Sequence, residues 1–261
     1  MAVSVATGLK SLFILLGCLM TATLIYTIAT DGLPFRKELL TPWMTATLID
    51  FYINILALGA WVIYKESNWI SAILWIILLV CLGSITACAY IVLQLFKLSP
   101  QESSQDPVYY VLLRHKKKTY SRRDGPEKKS LFSVVIARFM FGALGFLMLG
   151  TLIYTIATDG SPFRRDVLTP WLSATLVDFY INVVALSVWI AYKESSWIGA
   201  SFWIILLICF GSISTCAYIL LQLYQLSSED LVYLILFNSS NRAENGYERV
   251  LQRGNYSGIA A

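Results

Sequence analysis

Two short polar patterns interrupt long apolar segments of the chain, and both contain residues that can carry a charge or a proton. Thr47, Asp50 and Asn54 form the first pattern, and Thr175, Asp178 and Asn182 form the second. Side chains three and four residues apart lie on one face of a helix, so each pattern predicts a stripe of hydroxyl, carboxylate and amide groups. A carboxylate among apolar side chains is costly unless it is paired or hydrated. The two stripes are therefore candidate binding sites for a cation or a proton.

A structural role for the stripes is the alternative. Ser84, Thr86 and Tyr90 in the next apolar segment carry hydroxyl groups. Asp50 could accept hydrogen bonds from them, and Asn54 could join two helices in the same way. Since the second stripe is a copy of the first, its presence does not distinguish a binding site from a packing contact.

The elements that hold these stripes occur twice. Residues 23–99 recur as residues 151–227, with 53 identities in 77 aligned positions and no gap. A content of 57% hydrophobic and 14% charged residues, with a mean hydropathy of +0.65, excludes an ordinary soluble domain. Runs long enough to cross a bilayer lie near residues 11–30, 43–64, 69–95, 132–157, 171–192 and 197–223. They predict an all-α integral membrane protein with six transmembrane helices, arranged as two three-helix repeats.

The odd number of runs in each repeat predicts how the repeats are oriented. We assign residues 1–96 and 131–226 to the repeats, 97–130 to a connector and 227–261 to a polar tail. The connector contains no apolar segment long enough to cross the membrane. Three crossings followed by such a connector would insert the second repeat upside down. Inverted repeats are common in transporters, whose binding sites lie between the two halves.

Charge and glycosylation sequons predict which side each segment occupies. The connector has nine Lys and Arg residues against four Asp and Glu, and basic loops stay in the cytoplasm. An inverted second repeat would place the tail in the lumen, where Asn238 and Asn255 are glycosylation candidates. We therefore expect a protein of the secretory pathway, in the endoplasmic reticulum, Golgi or plasma membrane. Residues 114–129 are candidates for contact with anionic lipid headgroups.

The scarcity of histidine and the spacing of the cysteines limit the metal sites and catalytic groups that the chain can form. The single histidine, His115, lies in the connector, and the five cysteines form no C-x-x-C motif. The predicted helices therefore hold no histidine-based metal site or catalytic triad. The sequence also has no nucleotide-binding loop motif. We expect no enzymatic activity, no cofactor, no metal site and no nucleic-acid partner.

The duplicated blocks carry a family resemblance. D-G-x-P-F-R, then T-P-W-x-x-A-T-L-x-D-F-Y-I-N and Y-K-E-S-x-W, occur once in each repeat. In these blocks the chain resembles a plant family of small multi-pass membrane proteins that is catalogued as a domain of unknown function. The resemblance covers residues 10–97 and 138–225. It implies a membrane architecture and no established activity, so no functional residue is carried over from it.

Two functions fit these expectations. The first is a small-solute or ion transporter or channel, in which Asp50 and Asp178 bind a cation or a proton between inverted repeats. The second is a non-catalytic interaction or scaffold protein whose connector binds anionic lipid or a cytosolic partner. Replacing both aspartates by asparagine separates them, because a transporter would stay folded and lose flux. Misassembly or unchanged flux would exclude a transport site at these residues.

Overall fold

The computed structural model describes residues 5–34, 36–113, 134–162, 164, 167–227 and 232–237. The first repeat contains α1 (Val5–Asp31), α2 (Pro42–Lys65), α3 (Trp69–Leu82), α4 (Ser84–Phe96), α5 (Pro100–Gln105) and α6 (Pro107–Leu112). The second contains α7 (Val134–Asp159), α8 (Pro170–Lys193), α9 (Trp197–Phe210), α10 (Ser212–Tyr224) and a 3-10 turn at Val232–Leu236. Helices α1 to α4 correspond in sequence to α7 to α10.

Four of these helices, α1, α2, α7 and α8, are long and apolar enough to cross a membrane. The start of α2 is fixed locally, because the Thr41 side chain accepts the backbone N–H of Met44 at 3.2 Å. Pro42 occupies the first helical position, where its missing N–H costs nothing. Thr169 and Pro170 open α8 in the same way. These four helices agree with four of the six predicted transmembrane segments.

The third apolar run of the first repeat is a helical hairpin. Its arms, α3 and α4, have 14 and 13 residues, and each is about 20 Å long, shorter than the hydrocarbon core of about 30 Å. The Tyr90 hydroxyl on α4 donates to the Glu66 carboxylate, just before α3, at 2.9 Å. The Tyr90 ring centroid also lies 4.9 Å from that of Trp75. An uninterrupted helix would separate Trp75 from Tyr90 by about 22 Å, so the two arms fold back on each other.

The second repeat contains the same hairpin. The Tyr218 hydroxyl on α10 donates to Glu194 at 2.7 Å, and its ring centroid lies 5.0 Å from that of Trp203 on α9. The prediction of transmembrane helices at 69–95 and 197–223 is therefore wrong. Both runs are long and apolar enough to cross, but a Gly-Ser pair breaks each of them near its middle.

The two repeats run in the same direction. The starts of α2 and α8 pack together in one cluster that contains Trp43 and Trp171. Near the other end of α2, Tyr64 stacks on Tyr233 of the 3-10 turn, with ring centroids 4.8 Å apart. Lys193, which ends α8, binds the main-chain carbonyl of the neighbouring Phe237 at 2.7 Å. We call the face with the starts of α2 and α8 the loop face, and the opposite face the connector face.

The prediction of an inverted second repeat is therefore wrong. Two long helices and a hairpin return the chain to the face on which the repeat began. The Lys10 ammonium near the start of α1 lies 4.7 Å from the ring centroid of Phe96 at the end of α4, so both ends of the first repeat lie at the connector face. An even number of crossings gives the second repeat the orientation of the first.

The repeats interlock through their hairpins. Helix α1 packs against α4 of its own repeat and α8 of the other, while α7 packs against α10 and α2. The second hairpin arms also reach across, since α10 contacts α2 and α4 contacts α8. Buried aromatic residues from both repeats form the central cluster, including Phe51, Tyr90, Phe179 and Tyr218.

A buried lysine at the end of α2 binds the last described segment of the first repeat. Lys65 is 8% exposed, and its ammonium donates to three main-chain carbonyls. These belong to Tyr110, Val111 and Leu113, at 3.1, 2.6 and 2.6 Å. A cation near the last carbonyls of a helix satisfies free acceptors and opposes the negative end of the helix dipole. The described part of the predicted connector, up to residue 113, is thus packed onto the repeat.

Lys193 plays the same role in the second repeat. It is 7% exposed, and its ammonium donates to the carbonyls of Ile235 and Phe237. The Phe237 ring lies 5.5 Å, centroid to centroid, from that of Tyr109 on α6. The two lysine-held segments, residues 107–113 and 232–237, therefore meet at the connector face.

Candidate functional site at the hairpin tips

Each aspartate of the polar stripes contacts the hairpin of the other repeat. Asp50 on α2 accepts the backbone N–H of Ser212, the first residue of α10, at 2.6 Å. Asp178 on α8 accepts the backbone N–H of Ser84, the first residue of α4, at 2.7 Å. The first N–H groups of a helix have no acceptor within the helix, and they carry its partial positive charge. The two carboxylates therefore cap the two half-length helices reciprocally and join the repeats.

Glycine makes this close approach possible. Gly83 and Gly211, at the two hairpin tips, have φ angles of 53° and 55°, a region that side chains disfavour. A Cβ on Gly83 would collide with the Asp178 carboxylate and lie 2.8 Å from the ring of Phe51. A Cβ on Gly211 would collide with the Asp50 carboxylate in the same way. The tips thus need glycine both for their backbone conformation and for the room that the carboxylates occupy.

Hydroxyl groups hold the two arms together behind each tip. The Thr86 hydroxyl on α4 donates to the main-chain carbonyl of Leu78 on α3 at 2.9 Å. In the second repeat, the Ser214 hydroxyl donates to the carbonyl of Leu206 at 2.8 Å. Each of these carbonyls lies in the last turns of the first arm, so the hydroxyl adds a second hydrogen bond to it and ties the second arm to the first.

The two asparagines are fully buried, but their bonding differs. Asn54 and Asn182 are both 0% exposed. The Asn54 side-chain oxygen accepts the Thr215 hydroxyl at 2.8 Å, whereas its Nδ2 has no partner in the described part of the chain. Asn182 donates its Nδ2 to the Asp178 main-chain carbonyl at 3.2 Å, and its Oδ1 has no partner there. Ala87 occupies the position equivalent to Thr215, so the first repeat lacks the hydroxyl that would reach Asn182.

The threonines of the stripes bond within their own helices. Thr47 donates its hydroxyl to the carbonyl of Trp43, and Thr175 donates to that of Trp171, both at 2.9 Å. The Thr175 hydroxyl also lies 3.9 Å from the sulfur of Met44, across the contact between α2 and α8. The threonines thus share the helical face of the aspartates, as predicted, but their hydroxyls serve the helix backbone.

Apolar layers lie on both sides of the aspartates. Towards the loop face, the cluster around Trp43 and Trp171 fills the space between α2 and α8. Towards the connector face, buried Ile55, Leu58 and other inward residues of the two helices form the central cluster. The aspartates are half-buried, whereas Asn54, one turn away, is inaccessible. The two half-buried aspartates therefore lie between two apolar layers.

The arrangement can bind a proton more readily than a metal ion. Hard cations such as Ca²⁺ take six to eight oxygen ligands in proteins. Over the described ranges, no three His, Cys, Asp or Glu side chains come close enough to share a metal ion. Each tip instead offers a single carboxylate beside a helix N-terminus, and a carboxylate can bind or release a proton.

The aspartates are recognisable in the sequence as charges within apolar runs, but their partners are not. Of the three residues predicted to donate a hydroxyl to Asp50, Thr86 bonds to Leu78 and Tyr90 to Glu66. The third, Ser84, lies beside Asp178 instead, which accepts its backbone N–H. The donor to Asp50 is a backbone N–H of the other repeat. The contacts of the lysines at the ends of α2 and α8 were also not predicted, although a lysine just before an apolar helix is typical of a membrane edge. The repeated Gly-Ser pair was the available signal for the broken helices.

Two predicted features lie outside the described residues. These are the glycosylation candidates Asn238 and Asn255, and the basic stretch 114–129. The orientation of the repeats bears on both, because the segments that lead into them, residues 107–113 and 232–237, meet at the same face.

A comparison with protein families identifies the repeated unit. The family model described as "Protein of unknown function (DUF1475)" matches residues 3–121 and again residues 119–243. Each match extends past the third apolar run and includes one of the lysine-held segments. No curated protein and no solved structure matches the chain. The protein therefore belongs to this family and contains its domain twice.

Proposed function

We propose that the protein is a small membrane transporter or channel that moves protons, or a solute together with protons, between its two repeats. Asp50 and Asp178 are the groups that bind the proton. The observation that carries this proposal is the reciprocal capping, in which each carboxylate accepts the first N–H of a broken helix from the other repeat.

Broken helices at membrane depth support a transport site. Non-helical backbone within the bilayer is tolerated where it is buried in protein or lines a cavity, and discontinuous helices build the ion sites of many transporters. Here each break lies beside an aspartate that is only half-buried.

The capping also provides a way to couple proton binding to movement. An ionised carboxylate is a stronger acceptor for a helix N-terminus than a protonated one. Protonation of Asp178 would therefore weaken its bond to Ser84 and release the tip of the first hairpin. Because Asp50 and Ser212 form the equivalent pair, the two tips can alternate. Opening of the apolar layers on either side would then give the carboxylates access to the two faces in turn.

Proton flux into liposomes tests the proposal. The reconstituted protein should acidify vesicles that contain a pH-sensitive dye when a proton gradient is imposed. The double variant Asp50→Asn and Asp178→Asn keeps an oxygen acceptor for each N–H but cannot exchange a proton, so it should stay folded and lose flux. Asp31→Asn is the matched control, since Asp31 pairs with the exposed Arg36 at the loop face. Flux in the folded double variant equal to that of the wild type would refute the proposal.

A second candidate function rests on the charge of the connector. Nine basic residues against four acidic ones suit a scaffold protein that binds anionic lipid or a cytosolic partner. The full-length protein in nanodiscs of neutral lipid should then bind added vesicles that contain phosphatidylserine. Replacing Lys116, Lys117 and Lys118 by glutamine should weaken this binding. This function predicts no proton flux in the wild type.

A further inference from the structure

The two hairpins have nearly the same aromatic packing. In each of them, a tyrosine of the second arm packs against two tryptophans, with ring centroids between 4.9 and 5.4 Å apart. The residues are Tyr90 with Trp61 and Trp75 in the first hairpin, and Tyr218 with Trp189 and Trp203 in the second. These contacts stabilise the two hairpins about equally, so it is the polar contacts that distinguish them.

The start of the first arm is held by two side-chain hydrogen bonds in the first hairpin. The Asn68 side chain caps α3 by accepting the backbone N–H of Ile70 at 3.1 Å. The Ser71 hydroxyl donates to the Glu66 carboxylate at 2.9 Å, and the same carboxylate accepts the Tyr90 hydroxyl. These bonds fix the beginning of α3 to the residues that precede it.

Over the described residues, the second hairpin lacks both bonds at this end. Ser196 takes the place of Asn68, and its side chain makes no capping hydrogen bond. Gly199 takes the place of Ser71 and has no hydroxyl to offer Glu194. A Cβ on Gly199 would lie 3.3 Å from the Glu194 carboxylate, so a serine there would reach it. The start of α9 is therefore less restrained than the start of α3.

The second arm shows the opposite difference. Besides the aspartate cap at its start, α10 donates the Thr215 hydroxyl to Asn54 on α2 at 2.8 Å. Near its other end, Arg138 on α7 donates to the main-chain carbonyls of Leu223 and Leu226 at 3.0 and 2.8 Å. Both ends of α10 are thus bound to long helices.

Within the described ranges, α4 lacks both additional bonds. Ala87 supplies no hydroxyl, and the Asn182 side-chain oxygen has no partner there. Lys10 takes the place of Arg138, and its ammonium lies 4.7 Å from the ring centroid of Phe96. A cation–π contact of this kind is weaker than two hydrogen bonds from a guanidinium. The second arm is therefore held less firmly in the first hairpin than in the second.

We propose that the two hairpins are anchored by opposite arms, the first through α3 and the second through α10, so that α4 leaves its aspartate more readily than α10 does. The bond between Ser84 and Asp178 then opens before the bond between Ser212 and Asp50. The anchoring itself does not depend on proton transport. In the proposed function, on which this consequence rests, Asp178 releases its hairpin tip first and Asp50 second.

Hydrogen exchange of the full-length protein in nanodiscs tests the anchoring, because the amides of Ser84 and Ser212 exchange only when their caps open. Mass spectrometry with fragmentation to single residues gives a protection factor for each amide. One interhelical hydrogen bond corresponds to about a threefold change in an opening equilibrium, so Ser84 should be at least threefold less protected than Ser212. The order should reverse at the first arms, with Ile198 of α9 less protected than Ile70 of α3.

Exchanging the residues that differ gives matched variants. Ala87→Thr supplies α4 with the missing hydroxyl and should raise the protection of Ser84 about threefold. Thr215→Ala removes the hydroxyl from α10 and should lower the protection of Ser212 by a similar factor. Gly150→Ala is the control, since its Cβ would meet nothing within 4 Å on α7, and it should change neither amide.

The first arm is tested in the same way by Gly199→Ser, which should slow exchange at the start of α9. Equal protection of Ser84 and Ser212 in the wild type, or lower protection of Ser212, would overturn the proposal. That comparison uses one molecule, so it decides the question even where a variant fails to fold. Proton flux of the same samples separates the two proposals. Unequal exchange without flux supports the anchoring and refutes proton transport, whereas flux with equal exchange refutes the anchoring alone.

Discussion

The Asp50 carboxylate and the backbone nitrogen of Ser212 are 2.6 Å apart although 162 residues separate them in the chain. With the equivalent pair of Asp178 and Ser84, this contact makes each hairpin depend on the other repeat. A cap within one repeat would stabilise that repeat alone. The exchange of caps instead stabilises the assembled pair, because separating the repeats would leave both carboxylates and both helix ends without partners.

The tip glycines should be intolerant of substitution. Gly83→Ala forces a positive φ on alanine and places a Cβ against the Asp178 carboxylate. Backbone strain of this kind costs about 1–3 kcal/mol, and the displaced cap adds to that. Thermal unfolding in detergent should show a clear loss of stability. Gly150→Ala is the control, since its Cβ would meet nothing within 4 Å in a helix that alanine favours. Equal melting temperatures for the two variants would contradict the role assigned to the tip.

The unequal bonding of the two asparagines predicts that one substitution stabilises the protein. Ala87→Thr supplies the first repeat with the hydroxyl that Thr215 supplies in the second, so it should satisfy the Asn182 side-chain oxygen. An interhelical hydrogen bond within a membrane protein contributes about 0.6 kcal/mol. Thr215→Ala should lower the free energy of unfolding by a similar amount. Ala87→Val, which has the shape of threonine without its hydroxyl, separates the hydrogen bond from packing. A valine variant as stable as the threonine variant would argue against the bond.

The buried lysines should hold the segments at the connector face. Lys65→Met keeps most of the side-chain volume but leaves the carbonyls of Tyr110, Val111 and Leu113 without their donor. Loss of a charged hydrogen-bonding group typically costs about 1.5–3 kcal/mol. We expect faster proteolytic cleavage within residues 97–113. Mass spectrometry of the fragments identifies the cleavage sites. Lys37→Met, at an exposed position of the loop face, should leave cleavage unchanged. Identical cleavage of the two variants would show that Lys65 does not restrain the segment.

Local sequence predicted the four crossing helices, because their length, apolar composition and starting residues all agree. It failed at the third run of each repeat, since a mainly apolar run of 27 residues is long enough to cross whether or not the helix bends. The bend places the N–H of Ser84 against Asp178 of the other repeat, and no local pattern within one repeat reveals that contact. The orientation error follows from the same cause, because one miscounted crossing per repeat reverses the second repeat. The aspartates were recognisable as buried charges, whereas their partners depend on how the repeats assemble.

The orientation of the repeats makes a prediction about the tail. Residues 107–113 and 232–237 meet at the connector face, so the described segments that lead into the basic connector and into the tail end on one side. If the basic residues keep the connector in the cytoplasm, Asn238 and Asn255 are never exposed to the glycosylation enzymes of the lumen.

Expression in microsomes should therefore give a chain whose electrophoretic mobility is unchanged by glycosidase treatment. A sequon introduced into the loop at residues 32–40 should be modified, since that loop lies on the opposite face. Protease added from the cytosolic side should cut both the connector and the tail. Glycosylation of the tail together with cytosolic cleavage of the connector would place them on opposite sides, and it would mean that a hairpin crosses the membrane after all.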